Sequence, residues 1–167
     1  GTLGYTVMIS NYLKHYKMVD YLSSIARGHS LGAIVGIYNL QTIFEEQYYE
    51  NLPGGILEAF GRGFGRKVKM YVYPANNVET GELYDLSTLE IQPNLKGLLQ
   101  YMMDNGKLEA VKNYDEKLLH ILSDDVLSKI KAGASMWEDD VPMEVVKAIK
   151  HYELFGYTKK DPVKISN

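Results

Sequence analysis

The sequence predicts an α+β fold, mainly helical, with one small sheet. Apolar residues recur at spacings of three and four through most of the chain, the periodicity of a helix that buries one side. Only Lys67-Val68-Lys69-Met70-Tyr71-Val72-Tyr73 alternates with period two, as a half-buried strand does. Clusters such as Asn51-Leu52-Pro53-Gly54-Gly55 separate these segments. At 167 residues and 46% hydrophobic, the chain can bury a proper core. The expected organisation is one globular domain over 1–157, helical over 1–66 and strand-containing over 67–157, with a flexible tail at 158–167.

In chain order, Tyr5, Met8, Ile9, Tyr12, Leu13, Tyr16 and Val19 share one helical face opposite Lys14, Lys17 and Asp20, which predicts a helix over 5–25. Leu31 to Phe44 is apolar almost all round and is expected to be a buried central helix begun by Ser30 and preceded by a glycine cap at Gly28. Ile56, Leu57 and Phe60 open a further helix, which leads into the Lys67–Tyr73 strand. Asn76-Asn77 and Thr80-Gly81-Glu82 make a loop, and Leu86 to Ile91 is expected as a second strand. Leu95 to Met103 form a helix closed by Asn105-Gly106, followed by a short strand at 108–111.

The C-terminal run carries the strongest local signals. Ser123 can accept N–H groups at a helix start, Asp124 and Asp125 put negative charge in the first turn, and Lys129 and Lys131 put positive charge near the end. Gly133 supplies the left-handed stop. After Trp137 and the acids Glu138, Asp139 and Asp140, Pro142 suits the first turn of a last helix with Val145, Val146 and Ile149 facing inward.

This run, from Ile121 through Val141-Pro142 to Leu154-Phe155-Gly156-Tyr157, resembles the C-terminal end of nicotinate- and nicotinamide-mononucleotide adenylyltransferases. On the family's pattern Ser123 matches its second Ser and Val126 its Ile, whereas Asp124 stands in place of Thr and Leu127 in place of the triphosphate-binding Arg. Leucine cannot supply the forked donors of a guanidinium. Of the family's His-x-Gly-His, Ala26-Arg27-Gly28-His29 keeps only the Gly and second His. The resemblance implies a shared architecture, with an α/β nucleotidyltransferase-like fold as the alternative to α+β. It also implies a diverged member or a part of a longer protein. If chemistry occurs, the resemblance implies adenylyl transfer with magnesium on the triphosphate.

Composition narrows the classes of function. A net charge of −3 gives no global attraction for nucleic acid, so none is expected as a partner. The absence of cysteine removes disulfides, thiolate catalysis and thiolate metal sites. No apolar run reaches membrane-spanning length and no signal-peptide pattern opens the sequence, so a cytoplasmic, bacterial-type protein is expected. Tyrosine is in surplus, 14 against 4 Phe and 1 Trp, which suits half-buried seams and subunit contacts.

Three features could carry chemistry. Gly28-His29-Ser30-Leu31-Gly32 matches the Gly-x-Ser-x-Gly pattern, but its expected setting is a helix end, not the strand a nucleophile elbow needs. As a helix start beside Arg27, it would make His29 and Ser30 a modest anion site. Gly54, Gly55, Arg62, Arg66 and Lys67 combine glycines that admit close approach with three cations suited to phosphate. The acids at 124, 125 and 138–140 read as helix capping and a solvated loop, and no metal ligands are assigned. Two functions follow as expectations. The first is binding of a nucleotide or phosphorylated metabolite through His29, Ser30, Gly54, Gly55, Arg62, Arg66, Lys67 and Ser123. The second is a non-catalytic interaction domain forming a homodimer through its Tyr-rich first helix and Tyr48-Tyr49.

Overall fold

The computed structural model describes residues 4–8, 10–65, 67–134 and 136–158. They form an α+β protein, mainly helical, in two compact units: one holds the described residues from 10 to 119, the other those from 120 to 158 together with 4–8.

The larger unit is built on a three-stranded parallel sheet. Its elements are α1 (His15–Ile25), β1 (Leu31–Gly36), α2 (Ile37–Ile43), α3 (Gly55–Gly63), β2 (Val68–Tyr73), the short antiparallel pair β3 (Ala75–Asn76) and β4 (Leu83–Tyr84), α4 (Lys96–Asp104) and β5 (Leu108–Ala110). The order in the sheet is β1-β2-β5, with Leu31 opposite Val68 and Met70 opposite Leu108. β2 keeps the expected alternation: Val68, Met70 and Val72 are buried, while Lys69, Tyr71 and Tyr73 are half-buried on the other face. Helices cover the first face. Phe44 and Phe60 meet edge-on at 5.0 Å, and Ile37 and Leu40 of α2 are fully buried. Gly63 lets α3 approach α1 closely, since a Cβ there would stand 3.2 Å from the Tyr16 Cβ.

Several local expectations are corrected here. The first helix begins at His15, not residue 5. β-branched Thr6 and Val7 disfavour helix, and the Tyr12 N–H donates to Ser10 Oγ at 3.1 Å, a local bond that competes with it; Ile9 lies outside the described residues. The run 31–44 is a strand followed by a helix. Two glycines flank Ala33-Ile34-Val35, and a short apolar run with β-branched residues suits a parallel strand as well as a buried helix. Residues 86–91 form no strand; Asp85 instead gathers a turn, its Oδ1 accepting from Ser87 N–H at 2.8 Å and Ser87 Oγ at 2.6 Å, bonds that hold its carboxyl below the usual range. Beyond Thr158, the expected tail lies outside the described residues.

The smaller unit packs α5 (Ser123–Lys131), a short 3-10 turn at Met136–Asp140 and α6 (Met143–Tyr152) around Trp137, which is 1% exposed. Val126, Ile130, Val146 and Ile149 complete this core. Gly133, at φ +64°, ends α5 as its sequence predicts: its N–H donates to Ile130 O, and Ala134 N–H to Lys129 O, both at 3.0 Å. Pro142 stands at the cap of α6, with Val146 and Ile149 buried and Val145 half-buried. Ser123 is the first helical residue, the cap position falling on Leu122, and no side chain caps the helix there.

Candidate functional site

The expected candidates among the described residues fall in three places. Gly54 and Gly55 lie at the start of α3, but Glu58, one turn inside, occupies that position: the Gly54 N–H donates to Glu58 Oε2 at 2.9 Å. The other Glu58 oxygen holds Arg62 at 2.7 Å. A carboxylate of the chain therefore fills the place an anion would take at this helix start. Arg66 lies outside the described residues. Ser123 belongs to the smaller unit.

His29 and Ser30 lie in the exposed turn between α1 and β1. The order helix, turn, strand is the reverse of a nucleophile elbow, and the helix start that was to supply free N–H groups is replaced by a strand. Arg27 and Gly28 take left-handed conformations to make the turn. The Lys67 ammonium donates to the Gly28 carbonyl and ties this turn to the base of β2.

Ser30 and Lys67 converge with residues that sequence reasoning missed. Together with Lys69, Tyr71, Gly106 and Lys107 they line a cleft of about 320 Å³ at the amino ends of the three strands. Lys107 immediately precedes β5, and Met70 N–H donates to its carbonyl at 2.8 Å, so Lys69 and Lys107 are neighbours across the β2–β5 pair, one step before Met70 and Leu108. Gly32 stands opposite Lys69 on the other side and adds no side chain there. Lys69 donates to Glu109 Oε2 at 2.7 Å, a bond that raises its pKa and keeps it charged. Lys107 Nζ donates to Gly65 O at 2.7 Å. An ammonium carries three donors, so one bond to a carbonyl leaves two for a ligand.

The opposite, carboxyl edge of a parallel sheet is where α/β folds usually hold ligands. Here it carries an aromatic contact between Tyr73 and Tyr114 at 6.1 Å, and the β3–β4 hairpin bound to the Tyr38 hydroxyl through Val78 N–H at 3.0 Å.

In the smaller unit two lysines are paired with acids of the same unit. Lys129 reaches Asp140 at 2.9 Å and Asp125 at 3.3 Å, bonds that raise its pKa, and Lys150 reaches Glu138 at 2.6 Å. Among the described residues no three His, Asp or Glu converge to hold a metal ion. No described helix is long and apolar enough to cross a membrane. Of the tyrosines expected to form a dimer face, Tyr16 and Tyr49 are core residues, their rings 5.9 Å apart, and the Tyr49 hydroxyl donates to Ile43 O at 2.8 Å, whereas Tyr5, Tyr12 and Tyr48 are exposed. No family model, no curated protein and no solved structure matches the chain.

Proposed function

We propose that the sheet unit binds a small phosphorylated anion, a nucleotide or phosphorylated metabolite, in the cleft lined by Ser30, Lys67, Lys69 and Lys107. The observation that carries this reading is the placing of Lys69 of β2 beside Lys107, the residue just before β5, with Lys67 at the base of the same cleft. Like charges at neighbouring cross-strand positions weaken a sheet. Among the described residues Glu109 is the one carboxylate bonded to these three ammonium groups, on Lys69, while Lys67 and Lys107 donate to carbonyls; a bound anion would balance the remaining charge. The volume of about 320 Å³ falls at the small end of ligand sites and suits a phosphate-bearing head group. Binding here would rest on side-chain charge, without a glycine-rich loop or helix start. The proposal assigns binding and no reaction. Magnesium would enter only if a di- or triphosphate is the ligand.

A thermal-shift screen against ATP, NAD, nicotinate and nicotinamide mononucleotides and pyrophosphate, each with and without magnesium, tests it. A ligand that binds only the folded state stabilises it by about 2.7 kcal/mol at a hundred times its Kd. The expected result is a saturable rise in Tm with a phosphate-bearing ligand, lost in Lys69→Met and Lys107→Met and kept in Arg62→Ala. No shift with any of these ligands, or a shift lost in Arg62→Ala, contradicts the proposal.

A further inference from the structure

The two edges of the parallel sheet are built differently. β5, at one edge, is three residues long and carries Glu109 between Lys107 and Lys112, the short, charged form that keeps an edge from pairing. β1, at the other, is six residues long, Leu-Gly-Ala-Ile-Val-Gly, with no charge, no proline and no break in its register with β2. The Leu31 N–H donates inward to Lys67 O at 2.8 Å, so strand alternation sends the N–H and C=O of Gly32 and Ile34 outward. Among the described residues no hydrogen bond is made to them from outside the sheet. A groove of about 290 Å³, lined by β1 and by His15, Met18, Val19 and Leu22 of α1, runs along this edge. The Ile34 side chain, on the sheet face it shares with Tyr71, is 72% exposed.

We propose that β1 pairs with β1 of a second copy of this chain, antiparallel about a two-fold axis at Ala33, to make one continuous six-stranded sheet. A two-fold interface must be self-complementary, and this strand meets that condition because it sets no charge against itself. The register follows from geometry. Outward-pointing residues must face outward-pointing residues, which allows Gly32 opposite Ile34 of the second copy, and the reverse, as two hydrogen-bonded pairs. Each exposed Ile34 then lies over a bare glycine. That glycine borders the Tyr71 ring, 3.3 Å from where its Cβ would stand. Centring the pair on Ile34 instead would set isoleucine against isoleucine. Ala33 meets its own copy at the axis as a non-hydrogen-bonded pair, where Cα atoms stand about 4.5 Å apart. One strand pair is a small interface, so the dimer is concentration-dependent.

The chain has no cysteine, which makes a register test clean. Ala33→Cys should form an intermolecular disulfide under oxidised glutathione, since the axis brings two Cα atoms within bridging range. Ile34→Cys and Val78→Cys, the latter on an exposed loop, should not. Sedimentation of the wild type should show a concentration-dependent species of twice the monomer mass, lost in Ile34→Lys with the far-UV circular dichroism unchanged. A wild type that stays monomeric at every concentration, a dimer that persists in Ile34→Lys, or Ala33→Cys cross-linking no faster than Val78→Cys overturns the proposal.

Discussion

The helical unit and the sheet unit solve the same problem in opposite ways. The helical unit closes around one side chain: Trp137 takes contacts from α5 and α6, while Lys129 and Lys150 are paired with acids of the same unit. The sheet unit spreads its core over Phe44, Phe60, Tyr49 and the inner face of β2, and keeps Ile34 of its edge strand and a lysine-lined cleft accessible. Parallel sheets are ordinarily covered on both faces. Binding is thus to be sought in the sheet unit, where backbone and charge remain available to a ligand or a second chain.

Substitution can break this contrast. The largest effect is expected from Trp137→Ala, about 3–5 kcal/mol for a buried aromatic. Hydrogen exchange should show protection lost through α5 and α6; unchanged protection there would mean that Trp137 does not centre that core. Gly133→Ala comes next, at about 1–2 kcal/mol, because alanine resists the left-handed conformation.

In the sheet unit, Tyr49→Phe should cost about 1 kcal/mol through loss of the bond to Ile43 O. Burial, with Tyr16 and Tyr48 nearby, pushes the Tyr49 hydroxyl up to about 12 from its ordinary 10.0. Its folded pKa is raised, so its contribution is full below pH 10 and is lost as the pH rises toward 12. Alkaline unfolding curves of wild type and Tyr49→Phe should therefore converge over that range. Burial lowers the His15 pKa below 6.5, so the folded state resists protonation and stability falls as the pH drops below that value. His15→Gln should flatten this acid limb in pH-dependent urea unfolding. The smallest stability change belongs to Lys107→Met, within about 1 kcal/mol of wild type in the same unfolding assay, since relief of a like-charge neighbour offsets the lost bond to Gly65 O.

The same contrast governs what could be read from sequence. α5, its Gly133 stop and α6 were legible because apolar spacing, end charges and glycine stops act within a few residues of themselves, although the cap expected from Ser123 is not made. β2 was legible from its alternation. β1 was not, because whether Leu31 to Gly36 forms a strand depends on pairing with Val68 to Tyr73, over thirty positions away in the chain. The cleft was half legible. Ser30 and Lys67 were picked out, but Lys69 and Lys107 become neighbours only through the β2–β5 register. At Gly54, Gly55 and Arg62 a local signal was overlooked: Glu58 stands four residues from both Gly54 and Arg62, the spacing at which helical side chains meet.

The most direct measurement is a two-dimensional NMR titration of ¹⁵N-labelled protein with pyrophosphate, which reports where an anion sits as well as whether it binds. The proposed cleft predicts saturable shifts clustered at Ser30–Gly32, Lys67–Lys69 and Asn105–Lys107 that vanish in Lys107→Met. Shifts centred on Gly54 and Arg62, or none that saturate, would contradict it.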